Sequence, residues 1–332
     1  MARNHIIPIF VPHWGCPNQC VFCDQKRISG SPRPACAADV TEALEKAWTA
    51  GIRDAELAFY GGSFTAVPEA KQMELLAAAQ PFRANGLLRA IRLSTRPDAV
   101  NEDTLTRLAA YGVETVELGS QSMDDVVLLA SGRGHTAADT VRAAALVKAS
   151  GRKLVLQMMT GLPGSTAESD CRTAEKIIAI APDAVRIYPT VIVRGTELYE
   201  RWQRGEYREH TVAEAVSLCA ELLPKFQEAG IPVIRLGLNP TVELSAGQAA
   251  GGAYHPAFGE LVRSEILRRR AAAFLRDIPP GAHVVLRVRP ERLSAMIGQK
   301  RANVTALQAE FGLASLKVKP DPAAGEEILV GV

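Results

Sequence analysis

The chain has 332 residues, 47% of them hydrophobic and 22% charged, enough for about two domains or for one α/β barrel with an appendage. That balance excludes a disordered chain and a disulfide-stapled miniprotein. Its 38 basic and 36 acidic side chains nearly cancel, so the chain is no polycation and any surface for nucleic acid has to be local.

From about residue 5 to 235, short β-rich apolar runs alternate with stretches of helical period. Strands are expected at His5 to Val11, Asp54 to Tyr60, Ala90 to Ser94, Thr115 to Leu118, Lys153 to Met159, Val185 to Ile187 and Val233 to Leu236. Helices are expected at Asp39 to Ala50, Pro68 to Gln80, Glu102 to Tyr111, Ala137 to Ser150 and Ser165 to Ile180. Repeated strand–helix units predict a parallel sheet with helices outside, curled into a full or partial barrel whose chemistry gathers at the C-terminal ends of the strands. Those ends carry Gly61-Gly62-Ser63-Phe64-Thr65, Ser94-Thr95-Arg96-Pro97, Gly119-Ser120-Gln121-Ser122 and Thr160-Gly161-Leu162-Pro163-Gly164. A Gly-rich and helical connector, 237–278, then leads through Pro279-Pro280-Gly281 into a small unit, 279–332. In that unit a strand is expected at His283 to Val288, a helix at Arg292 to Phe311 and a strand at Ser315 to Val318. Residues 1–236 form the expected barrel core.

No apolar run is long enough to cross a bilayer, and Arg3, Asn4 and His5 interrupt the N-terminal stretch where a secretory signal needs an apolar core. The expected setting is therefore the cytoplasm, without a membrane partner. Three of the six cysteines crowd into eight residues as Cys16-Pro17-Asn18-Gln19-Cys20-Val21-Phe22-Cys23, a spacing that arises by chance roughly 0.002 times per chain of this composition. Structural zinc takes four Cys or His ligands, usually in paired knuckles; His13 is near, but no second knuckle follows. Three thiolates instead suit three irons of a [4Fe-4S] cluster, leaving a fourth iron open to an amine and a carboxylate, which S-adenosylmethionine (SAM) offers. Phe22 lies either against the adenine ring of such a ligand or in ordinary core. Cys36, Cys171 and Cys219 are isolated and read as incidental or buried thiols.

With these motifs in order, the chain resembles radical SAM enzymes, and within them the radical domain of the Elongator catalytic subunit. The likeness runs through the three cysteines, Gly61 to Thr65, Thr95-Arg96-Pro97-Asp98, Val116 to Ser122, Arg133-Gly134-His135-Thr136, Gly161 to Thr166, Ile187-Tyr188-Pro189-Thr190 and Gly195 to Tyr199. It covers about residues 5 to 215 and does not extend to an acetyltransferase-like domain. Oxygen-independent coproporphyrinogen oxidases share a looser version. The resemblance implies a partial α/β (TIM-type) barrel in which Cys16, Cys20 and Cys23 hold a [4Fe-4S] cluster. It also implies that Gly61 and Gly62, followed by Ser63, let a strand edge approach the methionine amine of SAM, and that Ser94, Gln121 and Arg133 face the ribose or carboxylate. Arg133 is alternatively a solvated ion-pair partner, and Ile187 and Tyr188 either line the adenine pocket or are core strand. Reductive cleavage of SAM to a 5'-deoxyadenosyl radical is the implied chemistry, fed by a reductase or a flavodoxin-type electron donor.

Between residues 261 and 319 stand twelve basic residues against four acidic ones, so this stretch holds a local excess of +8 in a chain of +2. Met296-Ile297-Gly298-Gln299-Lys300-Arg301 resembles the helix–loop–helix of a KH module, with Arg301 where the second glycine of the G-x-x-G loop belongs; Lys300 and Arg301 are the expected RNA contacts. RNA, with tRNA foremost, is the expected substrate and partner. A porphyrin-like or other small molecule is the alternative, and a non-catalytic nucleic-acid-binding protein with a structural metal is a reading of another class.

Overall fold

The computed structural model describes residues 5–17, 20–31, 33–241, 244–325 and 328–331. Asn18 and Gln19 of the cysteine motif lie outside the described residues. Compact units form from 1–211 with 226–256, and from 212–225 with 257–332.

In the first unit, strands β1 (Ile6–Phe10), β2 (Ala55–Tyr60), β3 (Leu88–Thr95), β4 (Val113–Gln121), β5 (Lys153–Thr160) and β6 (Ala184–Pro189) lie side by side in sequence order, all parallel. The short β7 (Val191–Val193) leaves the sheet, and β8 (Val233–Leu236) closes it beside β6. The result is a curled seven-stranded half-barrel, the α/β architecture that the strand–helix alternation predicts. Helices Ala37–Thr49, Glu69–Ala78, Glu102–Ala110, Ala137–Ala149 and Ala167–Ile180 fill the crossovers at the expected positions. Their starts are written locally: Asn101, Thr136 and Thr166 each accept a backbone N–H of the first turn, satisfying a donor that the helix itself cannot.

Alternation along each strand sorts the two faces. One carries Leu57, Phe59, Ile91, Leu93, Val116, Leu118, Leu154, Leu156 and Val185, all essentially without exposure, each contributing about 1.5–3 kcal/mol by burial. The other face carries Glu56, Tyr60, Arg92, Glu117, Gln157, Arg186 and Tyr188.

β7 pairs antiparallel with β9 (Ala249–Gly252), giving the small-residue segment a strand role that its composition does not announce. Gly252 takes φ 78° there, and a side chain on it would come within 2.6 Å of the Thr190 carbonyl oxygen. The helix Val212–Glu228 is likewise absent from the expected elements, since Pro224 interrupts its pattern.

In the second unit, β10 (His283–Val288) runs between β11 (Ser315–Pro320), parallel to it, and β12 (Leu329–Gly331), antiparallel to it. Helix Phe258–Leu275, expected in a connector, contributes Leu267, Ala271 and Leu275 to this unit's core, against Val284, Leu286, Met296, Leu307 and Leu316. The single helix expected from Arg292 to Phe311 is two, Leu293–Ile297 and Ala302–Glu310, because Gly298, Lys300 and Arg301 all take positive φ between them.

Candidate functional site

The loop after β1 is laced to the loop after β2. The Val11 N–H donates to the Tyr60 carbonyl (2.8 Å), the His13 N–H to the Gly61 carbonyl (2.9 Å) and the Ser63 N–H to the Trp14 carbonyl (2.8 Å). This contact uses the glycines. A Cβ on Gly62 would run into the Val11 carbonyl and lie 2.6 Å from the Trp14 carbonyl oxygen, and one on Gly15 would press on Ser63 and Val67. Gly62 thus has a first duty toward the cysteine loop itself. Gly61 differs: its neighbours leave ordinary contact distance, and what it supplies is φ 88°. Ser63 is fully buried, with its hydroxyl accepting from the Arg96 N–H (3.0 Å) and meeting the Thr95 hydroxyl (3.2 Å), so it ties the ends of β2 and β3 together.

On the cysteine loop, the Cys16 N–H donates to the His13 carbonyl and the Cys23 N–H to the Cys20 carbonyl. Phe22 and Val21 are buried with Met159, Leu162 and Leu198, and Cys20, Cys23 and Tyr188 pack against this cluster. Phe22 is therefore core and neighbour to two cysteines at once. Tyr188 sits on the polar face of β6, whereas Ile187, adjacent to it, points to the opposite face and is fully buried beside Met158. Of the two readings given for Ile187, its side chain takes the core one, and its carbonyl accepts from the Gly237 N–H.

Arg133 reaches the loop from the segment following helix Asp125–Ala130. Its guanidinium donates to the Cys20 sulfur (3.2 Å) and to the Gly119 carbonyl (2.6 Å), and the residue is only 8% exposed, which rules out a solvated surface role. Gly119 has no side chain where a Cβ would stand 2.9 Å from the Gln121 amide nitrogen and 3.3 Å from the Arg133 guanidinium. β4 bulges here, and Gln121 takes φ 64°, turning its amide to accept from the Gln157 side chain (3.0 Å). The bulge is held by the Ser120 carbonyl, which accepts from the Ser122 N–H (2.8 Å) and from His135 Nε2 (3.2 Å). Because a carbonyl only accepts, the His135 proton is on Nε2. Burial, and next the Arg133 charge, push the imidazole down to about 4, so it stays neutral. Ser94 is half-buried on β3, in register with Glu117, on the same polar face as Tyr188.

Deeper on that face lies a network that no linear motif announces. Glu117 accepts from Arg92 (2.9 Å), from Arg186 through Nε (2.8 Å) and Nη2 (3.1 Å), and from the Tyr60 hydroxyl (3.1 Å). Arg92 also pairs with Glu56 at 2.7 Å. Four strands contribute, and the spacing of 25 to 69 residues between partners hides them from a reading along the chain. Gln25, whose side chain donates to Cys23 (3.4 Å), and Gln157 escape that reading for the same reason: single polar residues carry no spacing signal.

The donor set fits the cluster. Burial first, then the charge of neighbouring Cys20, push the Cys16 thiol up and the Cys23 thiol up to about 12, with Arg133 opposing. Cys16 and Cys23 thus call for a positively charged metal centre to hold them as thiolates. Among the described residues no three His, Cys, Asp or Glu stand close enough to grip one ion, as structural zinc demands. A four-iron cube takes each thiolate at a different iron and so uses a wider ring of donors. Arg133, which reaches Cys20, flanks that set of donors.

In the second unit, Lys300 and Arg301 are exposed in the turn after Gly298, at φ 50° and 66°. Of the other basic residues, Arg268 and Arg269 are committed to Glu265 and, for Arg268, also to Glu310.

Known proteins agree with this geometry. The family model described as the radical SAM superfamily matches residues 11–177, and the radical SAM C-terminal domain matches residues 182–268. The tRNA uridine(34) acetyltransferase of Methanocaldococcus infernus is 39% identical over 143 residues, 41% of this chain and 27% of that protein. Elongator complex protein 3 of Homo sapiens is 31% identical over 188 residues, 51% of this chain and 34% of that protein. The solved archaeal Elp3 of Methanocaldococcus infernus superposes with a TM-score of 0.63 at 25% identity, covering 80% of this chain and 63% of the other. The chain thus spans about a quarter to a third of the length of the curated relatives it matches. Half the chain in one family model, on a half-barrel whose cysteine loop meets Arg133 and the glycines after β2, establishes that this protein belongs to the radical SAM superfamily, enzymes that use a [4Fe-4S] cluster and S-adenosylmethionine.

Proposed function

We propose that the enzyme modifies RNA, with tRNA as the substrate class. Cys16, Cys20 and Cys23 hold the cluster, and Gly61, Ser94, Gln121, Arg133 and Tyr188 surround SAM at the half-barrel mouth. Phe22 and Ser63 shape the same mouth from behind, and Gly62 keeps the cysteine loop seated. When bound, the cluster supplies the electron that cleaves SAM to methionine and a 5'-deoxyadenosyl radical. The chain's own part is to orient and to exclude water. Arg133, a planar cation that cannot lose its proton, suits a carboxylate, and the buried strand ends keep solvent from the reacting atoms.

The observation that carries the RNA reading is the likeness of residues in this half-barrel to proteins named for tRNA uridine(34) and for the Elongator complex. The excess of +8 between residues 261 and 319, with Lys300 and Arg301 uncommitted in an exposed turn, supports it. Anaerobic reconstitution followed by an assay for 5'-deoxyadenosine tests the chemistry: about four irons per chain are expected, lost when the three cysteines become alanine. Bulk tRNA added to the same assay should raise 5'-deoxyadenosine formation. Stimulation by small molecules extracted from cells, with none by tRNA, would replace RNA by a small substrate.

A further inference from the structure

The second unit's three-stranded sheet has one face packed on its helices and one that is not. Val284, Leu286 and Val288 of β10 point into the core with Leu316. Register places the alternate residues, Val285 and Arg287 of β10, Lys317 and Lys319 of β11 and Leu329 of β12, together on the opposite face, where the three cations are exposed. Arg287 is paired in register with Lys319, and Lys317 stands two residues from Lys319 on the same face. Like charges set directly across a ladder weaken the sheet. Among the described residues the one carboxylate near them is Asp321, 4.0 Å from Arg287, and no acid stands within ion-pair distance of either lysine. A sheet that sets three cations side by side with one distant carboxylate among them is suited to an anion that arrives from outside.

We propose that this open face binds the phosphate backbone of RNA, with Arg287, Lys317 and Lys319 as its phosphate partners. The proposal rests on the RNA reading above and adds a second surface, distinct from the Gly298 to Arg301 turn. The spacing suits a polyanion with several charges: neighbouring strands lie about 4.8 Å apart and alternate residues about 6.7 Å along a strand, so the three charges form an L-shaped patch rather than a point. Beside them are Val285, half-buried, and, on β12 across from Arg287, Leu329, 38% exposed; one exposed apolar side chain is too little to anchor in a lipid layer, which favours RNA over an anionic membrane. The face carries no Phe, Tyr or Trp among the described residues, and His283 is held by the Ser315 hydroxyl (2.9 Å). Bases therefore find no stacking platform, and recognition is of backbone rather than sequence.

The test is binding of bulk tRNA to the full chain across a salt series, followed by anisotropy. Each phosphate contact contributes about −0.7 to the log–log salt slope on a single strand, so the triple variant Arg287→Ala, Lys317→Ala and Lys319→Ala should flatten the slope by roughly 2. Lys319→Arg should retain the wild-type slope. A control with three cations removed from the first unit (Lys46→Ala, Arg53→Ala and Lys71→Ala) should leave it unchanged, and thermal melts confirm that each variant is folded. Salt-dependent binding by wild type with an unchanged slope in the triple variant overturns this surface and leaves the RNA reading standing. No salt-dependent binding by wild type overturns the RNA reading and this surface with it. Loss of affinity for phosphatidylserine vesicles in the triple variant, with tRNA binding intact, likewise overturns the proposal in favour of a lipid face.

Discussion

Arg133 and Gly62 show how much a single residue does at this site. Arg133 lies where it can reach both a cysteine and the bulged end of β4, donating to the Cys20 sulfur and the Gly119 carbonyl. If it also meets the SAM carboxylate, Arg133→Met removes charge-assisted bonds worth about 1.5–3 kcal/mol, a loss of roughly tenfold to a hundredfold in SAM affinity by titration of the iron-loaded protein. Unchanged SAM affinity would confine the arginine to the cysteine loop. Gly62 separates two uses that its motif runs together. Since a Cβ there collides with Val11 and Trp14 backbone, Gly62→Val should displace the cysteine loop and lower iron content, and a weaker hold on SAM comes with that displacement. Full iron loading with SAM binding alone impaired would return this glycine to a role purely against the cofactor.

At the scale of elements, two buried titratable groups pin the ends of β4 and β5 to their neighbours, and they respond to pH in opposite senses. His135 holds the β4 bulge and is pushed down to about 4 from its ordinary 6.5. Its contribution is complete above pH 6.5 and is lost as pH falls through 4, roughly 3 kcal/mol in all. Asp170, in helix Ala167–Ile180, accepts from the Gly161 N–H (2.9 Å), and burial pushes it up to about 7. Its contribution is complete below pH 3.8 and is lost as pH rises through 7. Between pH 7 and 4.5 the two oppose each other. Relative to wild type, His135→Gln should therefore gain stability as pH falls and Asp170→Asn should lose it, read from urea midpoints at the two pH values; parallel behaviour of the two variants would show that neither group titrates as its burial implies. The turn between helices Leu293–Ile297 and Ala302–Glu310 stores strain of another kind, with Lys300 and Arg301 both left-handed. Left-handed backbone costs a side-chain-bearing residue about 1–2 kcal/mol, partly offset in glycine by a freer unfolded chain. Lys300→Gly with Arg301→Gly should stabilise the protein by about 1 kcal/mol while weakening tRNA binding. A stability loss in the melt would mean the two side chains support the turn.

For the whole molecule, the near-neutral net charge conceals a basic stretch, +8 between residues 261 and 319. If Lys300 and Arg301 touch phosphate, their replacement by alanine should flatten the tRNA salt slope by about 1.4. Identical slopes would remove this turn from RNA binding. An effect at this turn and one at the open sheet face would add, because separate contacts release separate counterions. The buried Glu117 network works at the same scale: it joins β2, β3, β4 and β6 across the polar face, so loss of its central carboxylate would leave Arg186 without its carboxylate and Arg92 with Glu56 alone, and breaking a buried pair in this way costs about 3–5 kcal/mol.

The sequence by itself determined the alternation of strands and helices, since a period of two and a period of 3.6 are local properties that survive in a single chain. It also determined the cysteine loop, because C-x3-C-x2-C is a spacing along one segment, and the Gly-rich strand ends, because tight turns need glycine wherever they fall. Boundaries fail where a local pattern has two solutions: Lys300 and Arg301 continue a helical pattern, yet Gly298 breaks it. Helix Phe258–Leu275 reads as part of a connector because a proline pair marks a turn without saying which core a helix joins. Tertiary structure alone decided that Ile187 faces the core while Tyr188 packs against the same buried cluster as Cys20 and Cys23, and that Arg133 finds Cys20 across 113 residues. It alone also showed that Gly62 serves the loop before it and that Glu117 gathers three arms from other strands. The physical reason is common to all four. Each depends on which strands become neighbours and on which face a side chain emerges, and register, bulge and curl of the sheet set both, whereas residue spacing along the chain sets neither.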